Sequence, residues 1–476
     1  MSRRVLFFAM VLMTALTQVS HADSKPNILF IFSDDQCFET LNSLNNDEVL
    51  TPNLDRLVRQ GTTFTRTYNM GSWSGAVCVA SRTMLNTGRY IWYANDIYAT
   101  TEDERQQGRF WSEYMKSAGY RTYMTGKWHV RANAEKAFDV ARDVRGGMPN
   151  QTPAGYNRPL ADGSDAWSPY DTSFGGFWKG GKHWSEVVGD HGVDYLAEAS
   201  KRDEPFFMYL AFNAPHDPRQ APKQYVDLYP ADNVRVPANF MFEYPHNETM
   251  ASGRKLRDER LGPFPRTEHS VQVHRQEYYA IITHMDAQIG RILDALEASG
   301  KADNTYIFFT ADHGLAVGQH GLMGKQNMYD HSVRVPFMVA GPGIAGGELN
   351  DTPIYLQDLM ATSLELAQIE KPDHVQFESI LPLLDGSGKG RDAIYGAYLE
   401  AQRMVTYGDY KLILYPKEKV RRLYNIKRDP KEMLDLAGDG SMPIMRELFA
   451  KLLELQKEVG DKLDVKTVYP ELAAGV

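Results

Sequence analysis

The chain has 476 residues, too many for one small domain, and its 43% apolar and 24% charged content belongs to a globular protein rather than a disordered or collagen-like one. Net charge is −9, so the basic footprint of a nucleic-acid binder is missing and no nucleic-acid partner is expected. Mean hydropathy is −0.44, no run reaches the roughly 18 apolar residues of a membrane span, and two cysteines, Cys37 and Cys78, are too few for a disulfide framework or a cysteine-rich zinc site.

In chain order, Arg3 and Arg4 precede an apolar run from Val5 to Leu16 and the small-residue site Ser20-His21-Ala22. This pattern predicts a secretory signal peptide over residues 1–22, cut after Ala22. No cysteine follows the run, so no stable membrane anchor is expected, and an exported chain this poor in cysteine fits a periplasmic or secreted location.

Residues 27–33 (NILFIFS) form an unbroken apolar run between Pro26 and Asp34, which predicts a buried parallel strand. Residues 206–212 and 305–310 read the same way, and 120–125 and 335–340 are weaker versions. Between them Tyr278, Ile282, Met285, Ile289, Ile292 and Leu296 recur at helical spacing, with Gly300 as the stop. Alternating helices and buried strands predict an α/β fold: a large mixed, mostly parallel sheet flanked by helices.

Residues 145–191 and 230–268 lack a period and are expected to be irregular and functional. Trp167, Trp178, His183, Trp184 and Arg219, with Trp92 and Tyr93, are the candidates there for sugar stacking and anion contacts. From Ala393 short runs at 393–398, 404–406, 411–415 and 422–424 predict a smaller C-terminal antiparallel sheet, followed by a helix near 443–459. The expected division is a signal peptide at 1–22, a catalytic domain at 23–387 and a C-terminal α+β subdomain at 388–476.

Three predicted strands end in chemistry. Asp34-Asp35 follows the first, Asn213-Ala214-Pro215-His216 the 206–212 run, and Asp312-His313-Gly314 the 305–310 run. Ligands of open α/β sheets sit outside the carboxyl ends of the strands, so these groups are expected to meet there. Asp34, Asp35 and Asp312 would repel one another unless a cation intervenes, and hard oxygen ligands favour Ca²⁺ or Mg²⁺ over zinc.

Cys78-Val79-Ala80-Ser81-Arg82, continued by Thr87-Gly88-Arg89, resembles the type I sulfatase signature, Cys-x-(Pro or Ala)-Ser-Arg then x4-Thr-Gly-Arg, at every fixed position. Thr51-Pro52-Asn53-Leu54-Asp55, Gly126-Lys127-Trp128-His129, Ala214-Pro215-His216, Thr310-Ala311-Asp312-His313-Gly314 and Gly318-x-His320-Gly321-x3-Lys325 follow the same family in the same order. The chain thus resembles the formylglycine-dependent sulfatases of the alkaline phosphatase superfamily over nearly its whole length.

The resemblance implies that a maturase oxidises Cys78 to formylglycine, an aldehyde whose hydrate attacks the sulfur of a sulfate ester. Asp34, Asp35, Cys78, Asp312 and His313 match the metal set, though His313 either ligates or hydrogen-bonds the sulfate. Arg82 and Lys127 match the pair that orients the diol and binds sulfate, and His129 the base that deprotonates its second hydroxyl. His216 and Lys325 match groups at the bridging oxygen, either of which would protonate the leaving alcohol. The segment Ser81–Asn86 is expected to open a helix whose N–H groups face the anion. The implied substrate is a sulfated carbohydrate, an oligosaccharide from an algal or animal polysaccharide. The rivals are a phosphonate monoester or phosphodiester hydrolase of the same superfamily and an inactive secreted carbohydrate-binding protein.

Overall fold

The computed structural model describes residues 25–44, 46–148 and 151–474; the expected export segment lies outside them. Eight strands make the main sheet: β1 (Asn27–Ser33), β2 (Thr62–Phe64), β3 (Arg121–Lys127), β4 (Val140–Arg145), β5 (Phe206–Ala211), β6 (Thr305–Ala311), β7 (Phe337–Ala340) and β8 (Glu348–Asn350). Their order is β8-β2-β7-β6-β1-β5-β3-β4. The run from β6 to β4 is parallel throughout, whereas β7 is antiparallel to both β6 and β2.

The unbroken apolar run of β1 is explained by burial on both faces. Leu29 and Ile31 point into one core with Met208 and Leu210, under helices α2 (Trp184–Ala199) and α3 (Glu268–Ala298). Ile28, Phe30 and Phe32 point into the other with Phe207, Tyr209 and Trp111. Two-residue alternation on a doubly covered strand leaves no polar position.

Three expectations shift. The 335–340 run divides at Pro336: Arg334–Val335 joins a separate three-stranded sheet, and only β7 enters the main one. Proline has no N–H for a ladder, so a strand change falls there. The irregular stretch expected to reach residue 191 stops at His183, whose imidazole accepts the Ser185 N–H and caps α2. Residues 230–268 hold only short 3₁₀ turns before α3 begins at Glu268, ten residues earlier than the apolar period indicates.

The second sheet has β9 (Ala393–Tyr398), β10 (Gln402–Tyr407), β11 (Tyr410–Tyr415) and β12 (Val420–Asn425) in antiparallel succession, covered by the helix Met442–Val459. Its fifth strand, Gly71–Ser72, comes from the first half of the chain and lies parallel to β9. Tyr68, Met70 and Met84 share its core with Ile394, Leu412 and Leu448. Among the described residues no helix is long and apolar enough to cross a membrane.

One glycine holds a close approach at the carboxyl edge. Gly126 has φ +91° at a register shift between β3 and β4, and a Cβ there would lie 1.8 Å from the Ala211 carbonyl oxygen of β5. Neither the backbone angle nor the contact admits a side chain. Gly126→Ala should destabilise the protein by about 3 kcal/mol or more; a denaturant midpoint equal to that of the parent would contradict this.

Candidate active site

The carboxyl ends of β1, β3, β5 and β6 are aligned by register: Ser33 lies opposite Ala311, Phe32 opposite Ala211, and Gly126 opposite Ala211. The residues that follow therefore emerge side by side. Asp34 and Asp35 are fully buried. The Asp34 N–H donates to the Ala214 carbonyl (3.0 Å) and the Asp35 N–H to Asp312 Oδ1 (3.1 Å), which ties the three strand ends together. Asp35 sits at φ +65°, in the left-handed region that aspartate tolerates better than most residues.

Cys78 is the second residue of α1 (Val77–Thr87), an eleven-residue helix buried at every position. The expectation that Ser81–Asn86 opens the helix is corrected: the helix starts at Val77, so the positive end of its dipole lies at residue 78 itself. Cys78 Sγ is 3.3 Å from His313 Nε2, 3.4 Å from Lys127 Nζ, 3.4 Å from Lys325 Nζ, 3.5 Å from Asp34 Oδ1 and 4.0 Å from Asp35 Oδ1. Burial opposes a thiolate here, yet Lys127, Lys325 and His313 outweigh it and hold the Cys78 thiol well below its ordinary value. The position is built for negative charge.

Arg82, one turn further along α1, is fully buried. Its Nε donates to Asp312 Oδ2 (2.9 Å) and its Nη1 to the Lys127 carbonyl (2.6 Å), while the guanidinium lies over Phe32. Its Nη2 has no hydrogen-bond partner among the described residues. Lys127, the last residue of β3, pairs with Asp34. Lys325 Nζ donates to both oxygens of Asp35 (2.8 and 2.8 Å) and to His216 Nε2 (2.9 Å). Burial alone would lower both lysines, but Asp34 for Lys127 and Asp35 for Lys325 leave them above the usual lysine value. His129 follows β3 at φ +52°, near residue 78; burial lowers its pKa, and its buried Nδ1 has no partner among the described residues.

Asp34, Asp35, Cys78 and His313 offer four ligand atoms within 4.8 Å of one another. His313 Nδ1 lies 2.8 Å from the Gly314 carbonyl, which can only accept, so Nδ1 carries the proton. Its Nε2 then turns toward Asp35 Oδ1 at 3.0 Å and Cys78, an arrangement that needs a proton or a cation between lone pair and carboxylate. Asp34 is held well above the usual carboxylate range, first by burial, then by Asp312 and Cys78. Two carboxylates, an imidazole and the residue-78 side chain make a donor set that fits a divalent metal ion. Asp312, expected among the ligands, stands outside the four: its oxygens serve the Asp35 N–H and Arg82. The expectation that three carboxylates by themselves demand a cation is also corrected, because Arg82, Lys127 and Lys325 set three positive charges against them. The case for a metal rests on the donor set.

Asp217 was not among the sequence candidates. It is buried, its Oδ1 lies 2.9 Å from His216 Nδ1, and Arg257 and His216 keep it well below the ordinary carboxylate value against burial. Since Lys325 can only donate, His216 Nε2 accepts and Nδ1–H is held by Asp217. The one available signal was its place beside His216. A second ligand group, Asp35, His216 and Asp217, shares Asp35 with the first, and Arg257 already occupies Asp217.

Most candidate sugar contacts turn out to hold loops. Trp167 is buried against Arg158, His183 is buried against the Gln220 carbonyl, Trp178 donates to Gln220, and Trp92 donates to Tyr395 in the second core. Arg219 is buried, with Nη1 on His274 Nδ1. Trp184 is partly exposed, as are Trp178 and Trp92, and Tyr93 is exposed.

Buried carboxylates and cations thus gather around one side chain at a helix start, outside the carboxyl ends of a parallel sheet, where a ligand of an open α/β sheet binds. The sulfatase family model matches residues 26–369, and a model described as the C-terminal part of N-sulphoglucosamine sulphohydrolase matches 318–458. The chain belongs to the sulfatase family and is a sulfuric ester hydrolase. It is 26% identical over 512 residues to an N-acetylglucosamine-6-O-sulfatase of Bacteroides thetaiotaomicron, covering 92% of this chain and 87% of that protein. Among solved structures it is similar to an enzyme bound to its substrate D-glucosamine-2-N,6-O-disulfate (TM-score 0.71, 23% identity, 93% of this chain and 100% of the other). It is equally similar in fold to the phosphonate monoester hydrolase of Silicibacter pomeroyi (TM-score 0.72, 20% identity, 92% and 96%).

Proposed function

We propose that the protein removes sulfate from a sulfated carbohydrate, an oligosaccharide of algal or animal polysaccharide origin, outside the cytoplasm in the periplasm or as a secreted enzyme. The observation that carries this reading is residue 78. It lies at a helix start with Lys127, Lys325, His313 and Asp34 within 3.5 Å of Sγ, inside a complete formylglycine signature. In this reading a maturase is the partner that converts Cys78 to formylglycine, and Sγ marks the place of the hydrated aldehyde's oxygens.

Asp34, Asp35 and His313 would hold one Ca²⁺, with Mg²⁺ as alternative, and Asp312 would support them through the Asp35 N–H. When bound, the ion supplies Lewis-acid activation of the hydroxyl at residue 78. Arg82 and Lys127 bind and orient the sulfate, a role that suits Arg82 Nη2, which has no hydrogen bond among the described residues and lies 4.0 Å from Asp34 Oδ1. His129, whose pKa burial lowers, is neutral near pH 7 and accepts the proton of the second hydroxyl. His216 and Lys325 form the pair at the bridging oxygen, where the departing alkoxide takes a proton. The division at 387/388 is proposed as a change of sheet, not a separation of independent units, since the second sheet takes a strand from 71–72.

The phosphonate monoester reading has a specific observation in its favour, the fold likeness to that hydrolase. The two are separated by side-by-side kinetics on metal-loaded, aldehyde-bearing enzyme. The expected result is kcat/KM for a sulfated oligosaccharide well above that for matched phosphonates and phosphodiesters, because transition-state contacts cannot suit both groups equally. Efficient phosphodiester cleavage with no sulfate released from any carbohydrate would favour the rival.

A further inference from the structure

Arg145 is the last residue of β4 and lies in register with Lys127 on the neighbouring strand. Its carbonyl accepts the Trp128 N–H at 2.7 Å, so it is fastened to the residue between Lys127 and His129. Two residues later a Cβ on Gly147 would lie 3.3 Å from the His129 ring. Strands pair about 5 Å apart, which places the Arg145 backbone next to that of Lys127, whose Nζ lies 3.4 Å from Cys78 Sγ.

Its side chain is half-buried and stacked, the guanidinium carbon 4.4 Å from the Trp184 ring centroid and 6.0 Å from that of Phe177. Among the described residues nothing anionic meets it, and burial alone moves its pKa, downward. Neighbouring arginines differ: Arg142 faces Asp194, Arg158 pairs with Asp165 and Glu277, and Arg291 pairs with Asp190. Asp143, on the same side of β4, is taken by Lys179 and His191. The Trp184 indole also carries Lys179 Nζ at 5.4 Å, but Lys179 is paired with Asp143, whereas the N–H fork of Arg145 has the shape that matches a carboxylate or sulfate. A half-exposed guanidinium with no anionic partner among the described residues is free to take one from a ligand.

We infer that Arg145, presented by Trp184, is an anion subsite for a second charged group of the substrate, a sulfate or carboxylate distinct from the ester that is cleaved. The inference rests on the carbohydrate sulfatase reading and narrows it to sugars carrying two anionic groups.

The test compares wild type, Arg145→Gln and Arg145→Lys on three probes. These are glucosamine 6-sulfate, D-glucosamine-2-N,6-O-disulfate, and a disaccharide of glucosamine 6-sulfate with a uronic acid. In Arg145→Gln the ratio of kcat/KM for a doubly charged probe to that for the monosulfate should fall about tenfold or more, carried by KM, with the lysine variant between. The probe that responds tells sulfate from carboxylate. Unchanged ratios for both, or an equal loss on all three probes with a lowered melting temperature, would overturn the subsite and leave Arg145 a structural stack. If wild type cleaves no probe, glucosamine 6-sulfates are not its substrates, a result separate from the subsite. Calorimetry on Cys78→Ala with and without Arg145→Gln then still decides the subsite: weaker binding of a doubly charged probe in the double variant supports it, and equal binding sinks it.

Discussion

Cys78→Ala should abolish turnover, by about 10⁴-fold or more, while leaving the protein folded. The side chain removed is small and buried, and the carboxylate pairs that neutralise Lys127 and Lys325 remain in place. The melting temperature should therefore move by only a few degrees, whereas the reaction loses its nucleophile. Peptide mass spectrometry of wild type made beside a competent maturase should find the aldehyde at residue 78, and Cys78→Ser should be inactive where the maturase accepts only cysteine. An active enzyme whose peptide carries only unmodified cysteine would end the formylglycine mechanism. The electrostatics give the prediction its direction: three cations hold the unmodified thiol well below its ordinary value against the cost of burial. The same field would stabilise an oxyanion developing on a hydroxyl at this position.

Much of this architecture was legible because strands buried on both faces leave an unbroken apolar signature. The runs at 27–33, 206–212 and 305–310 became β1, β5 and β6 within a residue or so at each end. Their alignment explains why Asp34, His216 and Asp312 meet although hundreds of residues separate them. Sequence patterns were weaker where a contact decides the outcome. The helix from Trp184 was hidden by glycine, aspartate and histidine, which dilute its period, although its cap at His183 fixes its start. Lys325 was found by motif, but its pairing with Asp35 across 290 positions, and hence the charge balance of the site, follows only from packing. Asp217 was invisible for a similar reason: its task is set by which imidazole nitrogen faces Lys325. Arg145 carries no motif at all and gains meaning only from its register with Lys127.

Asp35→Asn should remove both the metal and the activity. Asp35 is fully buried, receives Lys325 on both oxygens and faces His313 Nε2 at 3.0 Å, so it stands at the centre of the donor set. An amide keeps the shape but loses the charge, and it leaves Lys325 without the partner that raises its pKa. Breaking a buried pair in this way costs about 3–5 kcal/mol of stability. Lost stability alone would not identify a metal site, so the informative measurement is linkage. Added Ca²⁺ at 100 times its dissociation constant should stabilise the wild type by about 2.7 kcal/mol, and Mg²⁺ should do so in its place if it is the native ion. Asp35→Asn should show no such gain, its metal content by elemental analysis should fall from one ion per chain toward none, and kcat should drop at least about 10³-fold, the loss expected when a charge-stabilising contact in the transition state is removed. Asp312→Asn should keep more of the metal, because Asp312 stands outside the four-atom group and acts through the Asp35 N–H and Arg82. Equal stabilisation of Asp35→Asn and wild type by the ion, or full activity in a preparation stripped of metal, would remove the ion from the mechanism and leave the site's own cations, Lys127 and Lys325 first among them, to act at residue 78.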